Sequence, residues 1–359
     1  MRQRTDVRKR AGTWGIRAAR RVWMSTAMLA AAGCTQSGFR MPLTGELRDI
    51  ERQAVRFLLT ESDDPSPLHR MHAIEALQDA APVSGRARIR AALRDPVPPV
   101  RFAALMASGT LRDRESIEAF RVAAEDNDRS VRVGGLFALH RIGDTRRTGE
   151  MASLLLRDPD PQVRGNTALA IGKLGEPKSV KLLTQGLKDT HELVRLQVMQ
   201  SMVLLGDAKA TRDLLFYGHS GVGPKMVEAL MTLGTARASI AAELFEYRLT
   251  EGPYDEVRLA AARGLGRLGR NDGLQLATRL LAFKSDGSGP KADPPEQQEA
   301  RIRTLAAAAL EAIGDRGSLG ALAGTMNDES QPMPVRIASA RAILGILGYA
   351  QRDNGIVGG

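Results

Sequence analysis

Five histidines, one cysteine and three glycine-bearing patterns are the places where this chain could carry chemistry. His69 and His72 stand three residues apart, but no third ligand follows at a zinc-site spacing. His140, His191 and His219 are isolated, so no metal is expected. Gly218-His219-Ser220-Gly221-Val222 approaches the G-x-S-x-G nucleophile elbow, with Val222 in place of the last glycine. That elbow needs a strand before it to present the serine, and none is read here. Gly264-x-Gly266-x-x-Gly269 spells the dinucleotide fingerprint, again with no preceding strand. Gly172-Lys173 lacks both the upstream glycine and the hydroxyl residue of a phosphate loop. No catalytic residue and no cofactor is expected from these patterns.

Cys34 is the only cysteine and cannot close an internal disulfide. It follows a basic stretch, an apolar run over Val22–Ala32, and the small residues Ala31-Ala32-Gly33. The run is too short to span a bilayer comfortably and has the length of a signal-peptide core. The arrangement resembles a bacterial lipoprotein signal, in which the cysteine becomes the first residue and carries lipid. That resemblance implies removal of residues 1–33 and lipid on Cys34. Thr35 rather than aspartate after the cysteine favours the outer over the inner membrane by analogy. A plain secretory signal, and a basic N-terminus with a buried cysteine, are the alternatives. Arg20-Arg21 also admits twin-arginine export.

The same segment disposes of the charge. Residues 1–33 hold seven of the ten net positive charges, so the remainder carries +3, with acids interspersed among bases. Nucleic-acid binding is therefore not expected. Composition is globular, 43% hydrophobic and 26% charged, but only 4% aromatic. Such a mixture suits helices packed closely through small side chains.

Beyond residue 48 the chain repeats itself. Val-Arg, or a close variant, recurs at Val100-Arg101, Val131-Arg132, Val163-Arg164, Val194-Arg195, Val257-Arg258, Ile302-Arg303 and Val335-Arg336, and His69-Arg70 extends the series backwards. The early intervals are 31 or 32 residues. Asp64, Asp95, Asp126, Asp158 and Asp189 each stand six places before Arg70, Arg101, Arg132, Arg164 and Arg195. Eleven places after the arginine comes Gly143, Gly175, Gly206, Gly269 or Gly314, suited to a left-handed helix end. Gly234 keeps that offset from Gly223, which stands where the sixth arginine is missing. Val163, Ala168, Ile171 and Leu174 show the helical period, and Met151–Leu156 reads as a shorter helix before the turn. One unit is a helical hairpin of about 31 residues.

This pattern resembles the HEAT repeat family, especially the HEAT-like repeats of phycocyanobilin lyases. The resemblance covers residues 49–349 in about nine units and implies an all-α, right-handed superhelical solenoid whose second helices line the concave wall. A HEAT-like hydroxylase family binds iron through repeated His-Glu pairs, and here only His191-Glu192 occurs. The ten Asp and Arg residues are expected to form a structural ladder, each aspartate capping its second helix or pairing with arginine. Residues 34–48 read as a tether, 217–224 as an irregular turn, 284–299 as an inserted loop and 350–359 as a flexible tail.

The first and fifth places after each arginine point away from the packed face. There stand Phe102 and Met106, Val133 and Phe137, Leu169 and Leu196. They form a candidate apolar strip for a protein partner, unless neighbouring repeats bury them. The expected function is a non-catalytic protein-interaction scaffold, lipid-anchored through Cys34 in the bacterial cell envelope. The alternative is a cytoplasmic enzyme, or enzyme accessory, resembling the bilin lyases.

Overall fold

A computed structural model describes residues 44–221, 223–287 and 293–355. Residues 43–359 form one compact unit. Cys34 and the expected signal segment lie outside the described residues.

Among the described residues there are nineteen α-helices and no strand. Eighteen pair into nine hairpins. The first four are α1 (Gly45–Glu61) with α2 (Pro67–Ala80), α3 (Arg86–Ala92) with α4 (Pro98–Thr110), α5 (Ile117–Ala123) with α6 (Arg129–Arg141), and α7 (Glu150–Arg157) with α8 (Pro161–Leu174). Next come α9 (Val180–Gly186) with α10 (Glu192–Leu204), α11 (Ala208–Ser220) with α12 (Pro224–Thr235), and α13 (Ala242–Glu251) with α14 (Asp255–Arg267). The last are α15 (Leu274–Leu280) with α16 (Pro295–Ile313), and α17 (Leu319–Asn327) with α18 (Met333–Leu347); α19 (Tyr349–Gly355) follows. The all-α repeat solenoid expected from the sequence is the fold observed.

Proline opens the first turn of α2, α4, α8, α12, α16 and α18, where a missing N–H costs nothing. Gly175, Gly314 and Gly348 end their helices with positive φ. In the second and sixth repeats that conformation falls on Arg112 and Arg237 instead. Gly234, expected at this cap, lies inside α12, where a Cβ would come within 3.0 Å of Gly264 Cα. The sixth repeat is therefore registered differently from the sequence pattern: Gly223 is the residue before α12, not the counterpart of a ladder arginine.

The ladder is built as a turn-fixing device. Asp64, Asp95, Asp126, Asp158 and Asp189 each accept the N–H two residues on, at 2.7–2.9 Å. They do not cap the second helices; Asp128 and Asp160 do that in the third and fourth repeats. Arg70 donates to its own Asp64 carbonyl at 2.9 Å and, through Nε and an η-nitrogen, to both oxygens of Asp95 at 2.8 and 2.9 Å. Arg101 reaches Asp126 at 3.1 Å and Arg164 reaches Asp189 at 2.6 Å. Each such guanidinium ties one repeat's turn to the next. Arg132 breaks the expected ladder. Its repeat is one residue longer, Asp158 lies out of register, and Arg129 approaches that carboxylate instead, at 3.5 Å. Arg195 holds only its own turn, donating to the Asp189 and Thr190 carbonyls, because the sixth repeat has no aspartate to receive it.

The even-numbered helices touch one another in order from α2 to α18, thinnest between α10 and α12, and α18 returns to pack on both α1 and α2. The array closes on itself. Ala54, Leu58, Ile74 and Leu77 share one buried cluster with Ile337, Ala340, Ile343 and Leu344. Leu58, Ile74, Leu77, Ile343 and Leu344 are all fully buried, and each such side chain contributes about 1.5–3 kcal/mol. A solenoid ordinarily needs polar end repeats; here the two end repeats cover each other.

The expected flexible tail is in part the latch of this closure. Residues 350–355 belong to α19, which is docked on the first repeat. Buried Asp353 accepts the Val83 and Ser84 N–H groups at 2.7 and 3.0 Å and the Ser84 hydroxyl at 2.8 Å. Tyr349 meets the same hydroxyl at 3.0 Å, and Arg352 pairs with Glu51. Three further boundaries differ from the sequence reading: α1 begins at Gly45, residues 217–220 complete α11, and α16 begins at Pro295. The inserted loop is correspondingly shorter than 284–299, because Pro295 starts a helix as readily as it ends a loop.

Two stability measurements follow. Asp353→Ala strips part-buried N–H groups of their acceptor and should cost about 1–3 kcal/mol in urea unfolding, with faster amide exchange around Val83 and Ser84. Arg164→Ala leaves Asp189 nearly buried and uncompensated and should cost about 3 kcal/mol. Arg132→Ala, at the broken rung, should cost less than about 1 kcal/mol. Equal losses for the two arginines would refute the ladder's role.

Candidate functional site

The fifth place after each ladder arginine shows how the wall of even-numbered helices is divided. In the second, third and fourth repeats it holds Met106, Phe137 and Leu169, and in the seventh, ninth and first it holds Arg263, Arg341 and Glu75. Half of the expected partner strip is closed off, while Phe102, Leu169 and Leu196 stay partly exposed. Val133 and Phe137 are fully buried, Met106 is 5% exposed, and Phe102, Leu169 and Leu196 pack against the same core. The cause is close repeat spacing. At Gly109 a Cβ would stand 2.7 Å from the Phe137 ring, and at Gly134 one would stand 3.3 Å from Phe102, so neighbouring helices cover Phe137 and partly cover Phe102. The direction read from the helical period was sound, but the open stretch lies elsewhere.

That stretch is where α16, α18 and α2 adjoin. A cleft of about 180 Å³ is lined by His72, Glu75, Thr304, Glu311 and Arg341, with Ala76, Ala308, Pro334, Ile337 and Ala338 as its apolar floor. Arg341 is the central charge. Its guanidinium lies 3.1 Å from Asp79 Oδ2 and 3.3 Å from Glu311 Oε2, and Arg267 stands 3.6 Å from the other oxygen of Glu311. Arg341 Nε is close to Glu311 without being aligned to donate, and Thr304 Oγ1 also has no hydrogen-bond partner. Buried polar atoms of this kind are normally satisfied.

The charges shift one another. Burial pushes the Glu75 carboxyl above its ordinary range, and Asp79 adds to this, while Lys173 and Arg341 oppose it. Lys173 belongs to α8, three repeats away, so its charge acts across the interior of the array. Burial and then His69 pull His72 down, favouring the neutral imidazole. Burial acts against the charge of Arg341, and Glu311, Asp79 and Glu75 more than offset it. Arg263 is pulled down to about 10 by burial and by Arg267. It donates to Thr235 Oγ1 and the Met231 carbonyl, both at 3.2 Å.

The other chemical candidates are structural. Ser220 donates to the Phe216 carbonyl at 2.8 Å at the end of α11. Gly264 and Gly266 lie within α14 against Phe245 and Ile313 and cradle no phosphate. His140 sits between Thr148 and Glu176, each at 2.8 Å, and His219 meets the Tyr247 ring edge-on. Among the described residues no helix is long and apolar enough to cross a membrane. Glu75, Thr304, Glu311 and Arg341 were missed from sequence. The available signal was a charged residue, in three repeats, at a position that is apolar in its neighbours.

Residues 54–146 and 150–220 match the family model described as HEAT repeats. Over 165 residues the chain is 28% identical to phycocyanobilin lyase subunit alpha of Picosynechococcus sp. (strain ATCC 27264 / PCC 7002 / PR-6), covering 40% of this chain and 60% of that one. Over 79 residues it is 32% identical to epoxyqueuosine reductase of Bacillus subtilis (strain 168), covering 22% and 20%. The chain thus spans between a fifth and three-fifths of these relatives. Among solved structures, the complex of CpcE and CpcF of phycocyanin lyase from Nostoc sp. PCC7120 aligns with TM-score 0.41 at 17% identity, covering 67% of this chain and 94% of that one. Human deoxyhypusine hydroxylase in complex with glycerol aligns at 0.34 and 17%, covering 85% and 98%.

Removing the Glu75 charge tests the electrostatics of the cleft. A carboxyl whose folded pKa is raised contributes stability below its unfolded pKa and loses it as pH rises through the folded one. Glu75→Gln should therefore gain stability relative to wild type as pH climbs from the ordinary carboxylate range towards neutrality. Urea midpoints taken between about pH 4 and 7.5 should diverge in that direction; parallel curves would mean that Glu75 is not desolvated.

Proposed function

We propose that this chain, whose residues 54–146 and 150–220 match HEAT repeats, is a non-catalytic binding scaffold, held at a bacterial envelope membrane by lipid on Cys34, that takes a protein partner at the cleft of α2, α16 and α18. The observation that carries the reading is the cleft itself, an opening between α2, α16 and α18 lined by Glu75, Thr304, Glu311 and Arg341 over an apolar floor. A partner segment would lay its own apolar side chains on the floor formed by Ala308, Ile337 and Ala338. Glu75 and Glu311 would favour a basic side chain beside them. The relative named as a lyase subunit supports association with another chain. The anchor rests on Val22–Ala32 and Ala31-Ala32-Gly33-Cys34. By the Thr35 analogy the outer membrane is the favoured location.

The same relative supports a second reading, an accessory or enzyme of bilin attachment. The cleft is smaller than the roughly 300–1,000 Å³ usual for drug-sized ligands. A tetrapyrrole would instead need the wider hollow of about 710 Å³ beside Arg101, Val122 and Asp126.

One preparation addresses both. Protein extracted from membranes of a lipoprotein-processing bacterium should have lost residues 1–33 and gained acyl mass, and Cys34→Ala should abolish both changes. A photo-crosslinking residue at Ala308 should then give a discrete protein adduct that Arg341→Glu removes. A soluble, unprocessed chain would sink the anchor. Pigment uptake by the purified protein, with no adduct at Ala308, would favour the bilin reading.

A further inference from the structure

The ladder leaves one rung without its cation. Asp95, Asp126 and Asp189 each receive the guanidinium of the preceding repeat, and Asp158 is approached by Arg129. Asp64 occupies the same turn of the first repeat, and closure of the array makes the ninth repeat its predecessor. The arginine of that repeat, Arg336, is engaged elsewhere: its Nε donates to the Met326 carbonyl at 2.9 Å, and its guanidinium lies over the Phe57 ring, 5.0 Å from the centroid. Its charge is still felt at Glu61, but it forms no rung with Asp64.

What meets Asp64 instead is a second carboxylate and an imidazole. Glu61, from the last turn of α1, and His69, from the first turn of α2, each place a ligand atom so that all three atoms lie within 4.8 Å of one another. His69 Nδ1 is 3.0 Å from Asp64 Oδ1. Glu61 is 8% exposed, and its Oε2 is buried with no hydrogen-bond partner. An unpaired buried carboxylate oxygen is costly, and a neighbouring carboxylate makes it more so. Along the chain the histidine nearest to His69 is His72, which is no part of this group. Folding back the hairpin turn supplies Glu61 and Asp64.

We propose that Glu61, Asp64 and His69 bind one divalent transition-metal ion with the ligand preferences of Zn²⁺, at the turn where the first repeat meets the last. One imidazole and two carboxylates suit Zn²⁺ better than Mg²⁺, which favours oxygen donors in octahedral array. Three protein ligands leave a position for water. The ion supplies Asp64 with the positive charge that an arginine brings at the other rungs and gives Glu61 Oε2 its missing partner, so its role is to brace the closure. A proton shared between Glu61 and Asp64 would satisfy the same oxygen without any metal, and the test separates the two.

The full chain carrying Cys34→Ala, so that its one thiol cannot contribute, is freed of metal with a chelator and titrated with Zn²⁺ against a chromophoric competitor. One equivalent should bind, and the melting temperature should rise. Glu61→Gln and His69→Gln should each weaken binding by about tenfold or more, with unchanged far-ultraviolet circular dichroism, and should remove the rise. His69→Gln keeps a donor towards Asp64 and guards against misreading a folding defect. Absence of one-to-one binding, or binding that neither substitution weakens, would overturn the proposal. So would Glu61→Gln matching the metal-free wild type in melting temperature while Zn²⁺ changes neither protein, the signature of the shared proton.

Discussion

Every hairpin in this chain has two apolar flanks and can bury them only against other hairpins. Inner repeats meet this requirement with the units before and after them. The first and last repeats lack one neighbour each, and both carry full apolar faces: Leu58, Ile74 and Leu77 at one end, Ile337, Ile343 and Leu344 at the other. Curvature brings these ends together, so the array needs no polar terminal repeat. Closure also turns the row of even-numbered helices into a wall with an interior, across which Lys173 on α8 can act on Glu75 on α2.

Hydrophobic contact alone would leave the repeats free to slide, because small side chains such as Ala103, Ala107, Ala138 and Ala168 offer many similar packings. The aspartate–arginine ladder removes that freedom. Each aspartate fixes its own turn through an N–H two residues on, and each fully engaged arginine binds its own turn and the next aspartate at once. The device tolerates little change in spacing. One additional residue between Arg132 and Arg164 suffices to break the rung. Loss of the aspartate in the sixth repeat ends the ladder at Arg195, just where contact between successive inner helices is thinnest.

Polar groups gather where the first and last repeats adjoin. On one side lie Arg341, Glu311, Glu75 and Thr304, and at the hairpin turn lie Glu61, Asp64 and His69. Both groups contain buried polar atoms without a hydrogen-bond partner among the described residues, and the second to fourth repeats place Met106, Phe137 and Leu169 at the positions equivalent to Glu75 and Arg341. A seam formed by residues far apart in sequence therefore brings several charged side chains together.

The sequence by itself determined the repeat, its hairpin form and most of its turns, because those depend on spacings of 3, 4 and about 31 residues that a periodic helix converts directly into faces. It also determined the aspartate turns and the rungs Arg70–Asp95, Arg101–Asp126 and Arg164–Asp189, but not that Arg132, Arg195 and Asp64 would make no rung. Phe102 and Phe137 lie on the face that the period indicated, but the period cannot say how closely the next helix approaches; Gly109 allows contact tight enough to bury Phe137, while Phe102 beside Gly134 stays partly exposed. The closure, the docking of α19 through Asp353 and the cleft around Arg341 were decided only by tertiary structure. Each joins residues more than 200 positions apart, and whether they meet depends on small rotations between repeats summed around the whole array, which no local pattern encodes.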